Sequence, residues 1–105
     1  MRAYITIIGE GDYGYVIREL SQSEYDLLKG IADGISANSA ELRIEVIPSR
    51  EESIERFKKY QKDNEKLLSG MTIYEKAHDY VMKEYVSYSW NTMMFLENEI
   101  ITFID

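Results

Sequence analysis

The chain contains no cysteine and only one histidine among its 105 residues. Without cysteine it can form no disulfide framework, no thiolate zinc site and no thiol nucleophile. The absence fits a reducing compartment, and we expect a cytoplasmic protein. A single histidine leaves a zinc site without the further nitrogen or sulfur ligands that it needs. We therefore expect neither a metal site nor another cofactor.

Long apolar runs are also missing, and none approaches the roughly 18 residues of a membrane span. The N-terminus lacks the charged region, long apolar run and small-residue cleavage site of a secretion signal. There is one proline, and we find no repeat, linker or low-complexity stretch. The length then predicts a single domain over residues 1–105.

Acidic residues outnumber basic ones by 19 to 12, and the net charge is −7. The acids lie toward both ends of the chain, whereas residues 50–70 hold five acids and six bases. Such a surface disfavours direct nucleic-acid binding and anionic membranes, and it favours a basic protein partner. Plain solubility explains the same charge without any partner.

Tyrosine is abundant, with nine residues beside one tryptophan. Both types are common at interfaces, because they bury a large area and keep a polar tip. We place Tyr25, Tyr74, Tyr85 and Trp90 on buried stripes. Four others do not all fit a stripe and predict an exposed aromatic patch, with scattered surface tyrosines as the alternative: Tyr13, Tyr15, Tyr60 and Tyr80.

The first 18 residues predict a hairpin, with strands over residues 3–8 and 13–18. Between them lies Gly9-Glu10-Gly11-Asp12, which is rich in residues that tolerate positive φ. Residues 9–14 also match G-x-G-x-x-G, but a dinucleotide fingerprint needs a helix next, and strand residues follow here. The stretch is then a hairpin tip, either merely flexible or an acidic and aromatic recognition tip. The second reading rests on Glu10, Asp12, Tyr13 and Tyr15.

Three capping boxes start helices, because a serine or threonine precedes a glutamate by three residues. They are Ser21/Glu24, Ser49/Glu52 and Thr72/Glu75. The first helix should end near Gly34 and bury Tyr25, Leu28, Ile31, Ala32 and Ile35. A polar loop over residues 36–40 and a strand over residues 42–46 follow. The second helix should reach about Leu68, and Gly70 should close it.

The third helix should cover residues 73–85 and bury one face: Tyr74, Ala77, His78, Val81 and Tyr85. After it, alternating residues favour a strand over 86–90, although a single helix reaching Glu97 also fits the spacing. Residues 93–96 and 100–104 read as a C-terminal hairpin. The predicted order is β-β-α-β-α-α-β-β-β. The fold class is α+β, with a mainly antiparallel sheet and helices packed on one face.

No catalytic residue can be assigned from these patterns. His78 lies near Glu75 and Asp79 in sequence, but its position on an apolar stripe favours a structural role. A pair of catalytic carboxylates would meet in space and cannot be read from spacing. A basic stripe on the second helix, Lys58, Lys59, Lys62 and Lys66, reads as a solvated face rather than a nucleic-acid site.

The leading hypothesis is a non-enzymatic, acidic inhibitor that occludes a basic, nucleic-acid-handling protein. Its binding residues would be Glu10, Asp12, Tyr13, Tyr15, Tyr60 and Tyr80. In size and charge the chain is similar to small acidic inhibitors of phage and toxin–immunity systems, although it matches no motif of theirs. The alternatives are an oligomer that sequesters a nucleotide or other small molecule, and a small hydrolase using His78 or a carboxylate pair. A homo-oligomer stays open.

Overall fold

The computed structural model describes residues 1–35 and 40–104. Its internal contacts divide the chain into two compact units, Met1–Pro48 and Ser49–Asp105. Each unit is described by itself, and the single domain over residues 1–105 stays a prediction. The predicted polar loop at residues 36–40 lies, except for Ala40, outside the described residues.

The first unit contains a three-stranded antiparallel sheet and one helix. Its elements are β1 (Arg2–Gly9), β2 (Asp12–Glu19), α1 (Gln22–Gly34) and β3 (Glu41–Ile47). The strand order is β2-β1-β3, so the first strand is central and pairs with both others. The α+β class and the antiparallel sheet are confirmed, and so are the N-terminal hairpin and the strand before Pro48.

The hairpin turns at Glu10 and Gly11, because Gly9 pairs with Asp12 across the two strands. Gly11 has φ of +80°, a backbone conformation that residues other than glycine rarely adopt. This geometry belongs to a type II turn, which needs glycine at its third position. The glycine-rich stretch is therefore a tight turn between strands, and no helix follows it.

Alternate residues of β1 point to opposite faces of the sheet. On one face, Ala3 and Ile5 form a core with Leu20, against which the half-buried side chains of α1 and the outer strands pack. On the other face, Tyr4 and Thr6 are buried. Residues 3–6 of the central strand are thus buried on both faces, whereas Ile7 is exposed.

Helix α1 has the predicted start but not the predicted burial. Ser21 and Glu24 form the full capping box. None of its residues is fully buried, and Ile31 exposes half of its surface. Only Tyr25 and Leu28 pack against the core of the sheet. The helix ends at Gly34 as predicted, and Gly34 has no positive φ.

The second unit is helical in its described part. It comprises α2 (Arg50–Asp63), α3 (Glu65–Leu68), α4 (Ile73–Glu84) and α5 (Trp90–Ile104). The helix predicted from Ser49 to Leu68 breaks at Asn64. Ser49 caps the N–H of Glu52, but the Glu52 side chain pairs with Arg56, so that capping box is only half formed.

The predicted strands after residue 85 are wrong, because residues 90–104 form α5. Its buried residues are Thr92, Met93, Leu96 and Ile100, a helical spacing. The alternative of one continuous helix is wrong as well, since α4 ends with a cap at Tyr85. The observed order is β-β-α-β followed by four helices. Packing between α4 and α5 has overridden the strand preference of the local sequence.

The buried face of α4 is rotated from the predicted one. Ala77, Tyr80 and Val81 are buried, whereas Tyr74 exposes 57 % of its surface. Tyr80 is only 1 % exposed and lies at the centre of an aromatic cluster. Its ring centroid is 5.2 to 5.6 Å from those of Phe57, Tyr60 and Tyr85. Trp90, predicted to be buried, is exposed.

Candidate functional site

The hairpin of the first unit presents two exposed tyrosines on one face of the sheet. Tyr13 and Tyr15 alternate along β2 and expose 49 % and 56 % of their surface. The ring of Tyr15 stacks on buried Tyr4, with centroids 5.0 Å apart and planes 6° from parallel. The hydroxyls of Tyr13 and Tyr4 lie 3.4 Å apart. One buried residue of the central strand therefore supports both exposed rings.

The environment of Tyr4 keeps its hydroxyl protonated. Burial raises the pKa of Tyr4 well above its ordinary value, and the contact with the Tyr13 hydroxyl raises that pKa further. A neutral hydroxyl can both donate and accept a hydrogen bond. The raised pKa therefore extends to more alkaline pH the range over which Tyr4 can share a hydrogen bond with Tyr13.

Carboxylates occur at the turn of this hairpin and on the far edge strand of the same sheet. Glu10 and Asp12 are exposed at the turn. Across the sheet, the pairing places Glu45 opposite Tyr4 and Glu41 opposite Ile8, on the same face as the tyrosines. Arg43 lies between them, but its guanidinium is 2.8 Å from Glu41 and so is neutralised. This face of the sheet therefore carries aromatic rings on β2 and carboxylates on β3.

The structure brings together four of the six residues predicted for binding. Glu10, Asp12, Tyr13 and Tyr15 share the hairpin, and we call these four the hairpin surface. The other two lie in the second unit, where Tyr80 is buried and offers no surface. Tyr60 is half-buried, and its hydroxyl donates a hydrogen bond to Asp79. Both contribute to the packing of α2 and α4.

Sequence reasoning missed the residues that complete the hairpin surface. Tyr4, Glu41 and Glu45 join it only through strand pairing. The alternation Tyr4-Thr6-Ile8 was a usable signal, because it puts a third tyrosine on the same face as Tyr13 and Tyr15 once the strands are paired. The register needed to align β3 was not readable from the sequence.

Two large hollows lie in the helical unit. One, of about 440 Å³, has lining residues of both charges. They are Arg56, Lys59, Tyr60, Asp63, Asn64, Tyr80 and Glu84. The other, of about 430 Å³, is rich in lysine, and we call it the lysine hollow. It is lined by Lys58, Gln61, Lys62, Glu65, Leu68, Ser69 and Lys76.

His78 lies at the surface, beside a carboxylate that is distant in sequence. Its Nδ1 is 3.1 Å from Oε2 of Glu97, and its side chain is 52 % exposed. The partner comes from α5 and is neither of the acids next to His78 in sequence. His78 lines neither of the two large hollows. A general base acts on a substrate held within hydrogen-bond reach, and neither of these two hollows would hold a substrate against His78.

No group of three or more histidine, aspartate or glutamate side chains within residues 1–35 and 40–104 could hold a metal ion. None of the helices in that part of the chain combines the length and apolarity that crossing a bilayer requires. No protein-family model matches the chain, and neither a curated protein nor a solved structure matches it. Its function must be argued from the geometry of its surfaces.

Proposed function

We propose that this protein is a non-enzymatic binding protein, and that its hairpin surface covers a basic patch on a protein partner. The observation that carries the proposal is the pair of exposed rings, Tyr13 and Tyr15, held by Tyr4 on a hairpin whose turn exposes Glu10 and Asp12. Exposed aromatic side chains of this kind are typical anchors of protein interfaces.

The stacked arrangement lowers the cost of binding. A side chain that becomes ordered only in the complex loses conformational entropy, and that loss weakens affinity. The Tyr15 ring is already stacked in the free protein, so less freedom remains to be lost. The same reasoning explains why tyrosine is common in binding loops, since its large ring has few rotatable bonds.

The surrounding charge favours a basic partner. Residues 1–48 hold eight acidic and four basic side chains. An acidic face speeds encounter with a basic surface and rejects acidic ones. Proteins that handle nucleic acids carry such basic surfaces, which leads us to an inhibitor of the phage anti-defence or toxin–immunity type. We place its action in the cytoplasm, consistent with a chain that has no cysteine.

The test is capture of partners from the native host by the immobilised protein and by a Tyr13→Ser/Tyr15→Ser variant. We expect the unmodified protein to retain a basic protein at low salt and to release it as salt rises. The double variant should lose at least about tenfold in affinity, because it removes two anchor rings. Tyr74→Ser is the matched control, since Tyr74 is equally exposed but lies in the other unit.

Equal capture by the unmodified protein and the double variant would show that the hairpin surface is not the interface. Capture that the control variant abolishes to the same extent would place the interface elsewhere. Retention of an acidic protein in preference to basic ones would contradict the electrostatic part of the proposal.

A further inference from the structure

The lysine hollow gathers positive charge in an otherwise acidic chain. Lys58 and Lys62 are one helical turn apart on α2 and therefore lie on the same side of it. Lys76 reaches the hollow from the first turns of α4. One carboxylate, that of Glu65, lines the hollow beside them. Its volume of about 430 Å³ falls within the range of small-ligand pockets.

These ammonium groups have not been neutralised by neighbouring acids. Within the described residues, neither Lys62 nor Lys76 forms an ion pair, and Lys58 lies over the ring of Phe103 at 5.1 Å. Elsewhere Lys29 and Lys83 are each held by a carboxylate on their own helix. Like charges one turn apart repel each other, so an anion bound between them would relieve that repulsion.

The uncharged residues that line the hollow indicate which chemical groups a ligand could present there. The Gln61 amide and the Ser69 hydroxyl can donate hydrogen bonds to oxygen atoms. Leu68, which is buried, supplies an apolar floor. None of the lining residues is aromatic, so a nucleobase would find no ring to stack on. Recognition here suits the phosphate part of a ligand.

We propose that the lysine hollow is a binding site for a compact polyanion of the diphosphate class, held by Lys62 and Lys76, with Lys58 lining its edge. A diphosphate has oxygen atoms for both the Lys62 and the Lys76 ammonium groups, whereas the Lys58 ammonium lies over the Phe103 ring, which does not line the hollow. A long nucleic acid would instead extend beyond the hollow over a surface with net negative charge, which repels it. The site lies in the second unit, and this proposal does not depend on the one made for the hairpin surface.

The test is an NMR titration of the full ¹⁵N-labelled chain with sodium pyrophosphate at about 20 mM ionic strength, where screening is weak. We expect saturable shifts of the backbone amides between Lys58 and Lys76. Lys62→Gln and Lys76→Gln should each weaken the affinity at least about fivefold, because each removes one ammonium group from the site. Both lysines are on the surface, and the spectra themselves report whether each variant is folded.

Lys66→Gln is the matched control, since it removes the same charge from α3 without lining the hollow. Its affinity should stay within about twofold of that of the unmodified protein. A loss as large as that of Lys62→Gln would overturn the site in favour of general electrostatic attraction. Absence of saturation by about 1 mM pyrophosphate, a range over which the ionic strength stays near its starting value, would overturn it as well.

A second arm identifies the source of the diphosphate. ADP binding with an affinity similar to that of pyrophosphate would support a site that accepts the diphosphate end of a nucleotide. Pyrophosphate binding without ADP binding would support a site for the free inorganic ion. An oligonucleotide that binds more tightly than either, through the same lysines, would overturn the assignment to a compact ligand.

Discussion

Ser53 is a polar side chain in the core whose burial lowers the stability of the protein. It lies on α2 and is fully buried beside Ile54 and Phe57, which are also buried. Its Oγ has no hydrogen-bond partner among the described residues. A buried hydroxyl without a partner costs about 1 to 3 kcal/mol, because it has given up its bonds to water.

Ser53→Ala should therefore stabilise the protein by about 1 kcal/mol, through removal of the hydroxyl and the higher helix propensity of alanine. Urea denaturation followed by circular dichroism measures the change. Ser23→Ala, on the exposed side of α1, is the control for helix propensity alone and should change stability by less. A loss of stability in Ser53→Ala would mean that the hydroxyl has a partner in solution.

Tyr60, Asp79 and Lys83 form a polar contact between α2 and α4. The Tyr60 hydroxyl donates a hydrogen bond to Asp79, and Lys83 Nζ lies 3.2 Å from the same carboxylate. The bond from Tyr60 is the main reason why the pKa of Asp79 lies below its ordinary value of 3.8. Burial and the same bond raise the pKa of Tyr60. The folded protein thus prefers ionised Asp79 and neutral Tyr60.

This contact makes part of the stability depend on pH. Because folding lowers the pKa of Asp79, its contribution is complete above pH 3.8 and is lost as the pH falls through the lower, folded-state value. Asp79→Asn should cost about 1 kcal/mol at pH 7, and the difference from the unmodified protein should shrink toward pH 2. Urea midpoints at several pH values measure it.

Tyr60→Phe supplies the control, because it removes the hydrogen bond that lowers the pKa of Asp79. Like Asp79→Asn, the Tyr60→Phe variant should show a free energy of unfolding that depends less on pH than that of the unmodified protein. A stability difference between Asp79→Asn and the unmodified protein that does not change with pH would show that Asp79 contributes through packing alone.

At the scale of the elements, two glycines should respond oppositely to the same substitution. Gly30 lies inside α1 and Gly70 follows α3, and an added Cβ would meet nothing within 4 Å at either position. Gly70 has φ of +84°, whereas Gly30 has ordinary helical geometry. Backbone conformation, not space, therefore decides the outcome.

Gly30→Ala should raise the free energy of unfolding by up to about 1 kcal/mol, because alanine restricts the unfolded chain and suits a helix. Gly70→Ala should lower it by about 1 to 2 kcal/mol, because the left-handed conformation is costly for any residue with a Cβ. Thermal and urea unfolding of the two variants measure both effects. Changes of the same sign in both would contradict this explanation.

Elements with local signals were predictable, and those that depend on packing were not. The hairpin follows from Gly11, and two helix starts follow from the capping boxes at Ser21 and Thr72. Helix α5 has a sequence rich in strand-forming residues, and its helical state depends on burying Leu96 and Ile100. No local sequence motif predicts that these two side chains are buried.

The same distinction applies to the candidate sites. The hairpin surface is contiguous in sequence, so predicting one turn was enough to bring its four residues together. Its support by Tyr4 required the strand register. The lysine hollow required more, because Lys76 joins Lys58 and Lys62 only after two helices have packed.

At the scale of the whole molecule, charge is distributed unevenly despite the net value of −7. The hairpin surface carries both acids and aromatic rings, whereas the lysine hollow is lined by three lysines. Two proposed surfaces of opposite sign imply ligands of opposite sign. Salt should weaken both interactions, so the substitutions described above, not salt sensitivity, distinguish them.

The stack of Tyr15 on Tyr4 affects how mutational scans of this protein should be interpreted. On the proposed function, alanine at position 4 would remove the ring on which Tyr15 stacks and would thereby weaken partner affinity, although Tyr4 is buried in the free protein. A scan read without the structure would count Tyr4 as a point of contact. Affinity engineering should accordingly vary positions 13 and 15 and keep the aromatic ring beneath them.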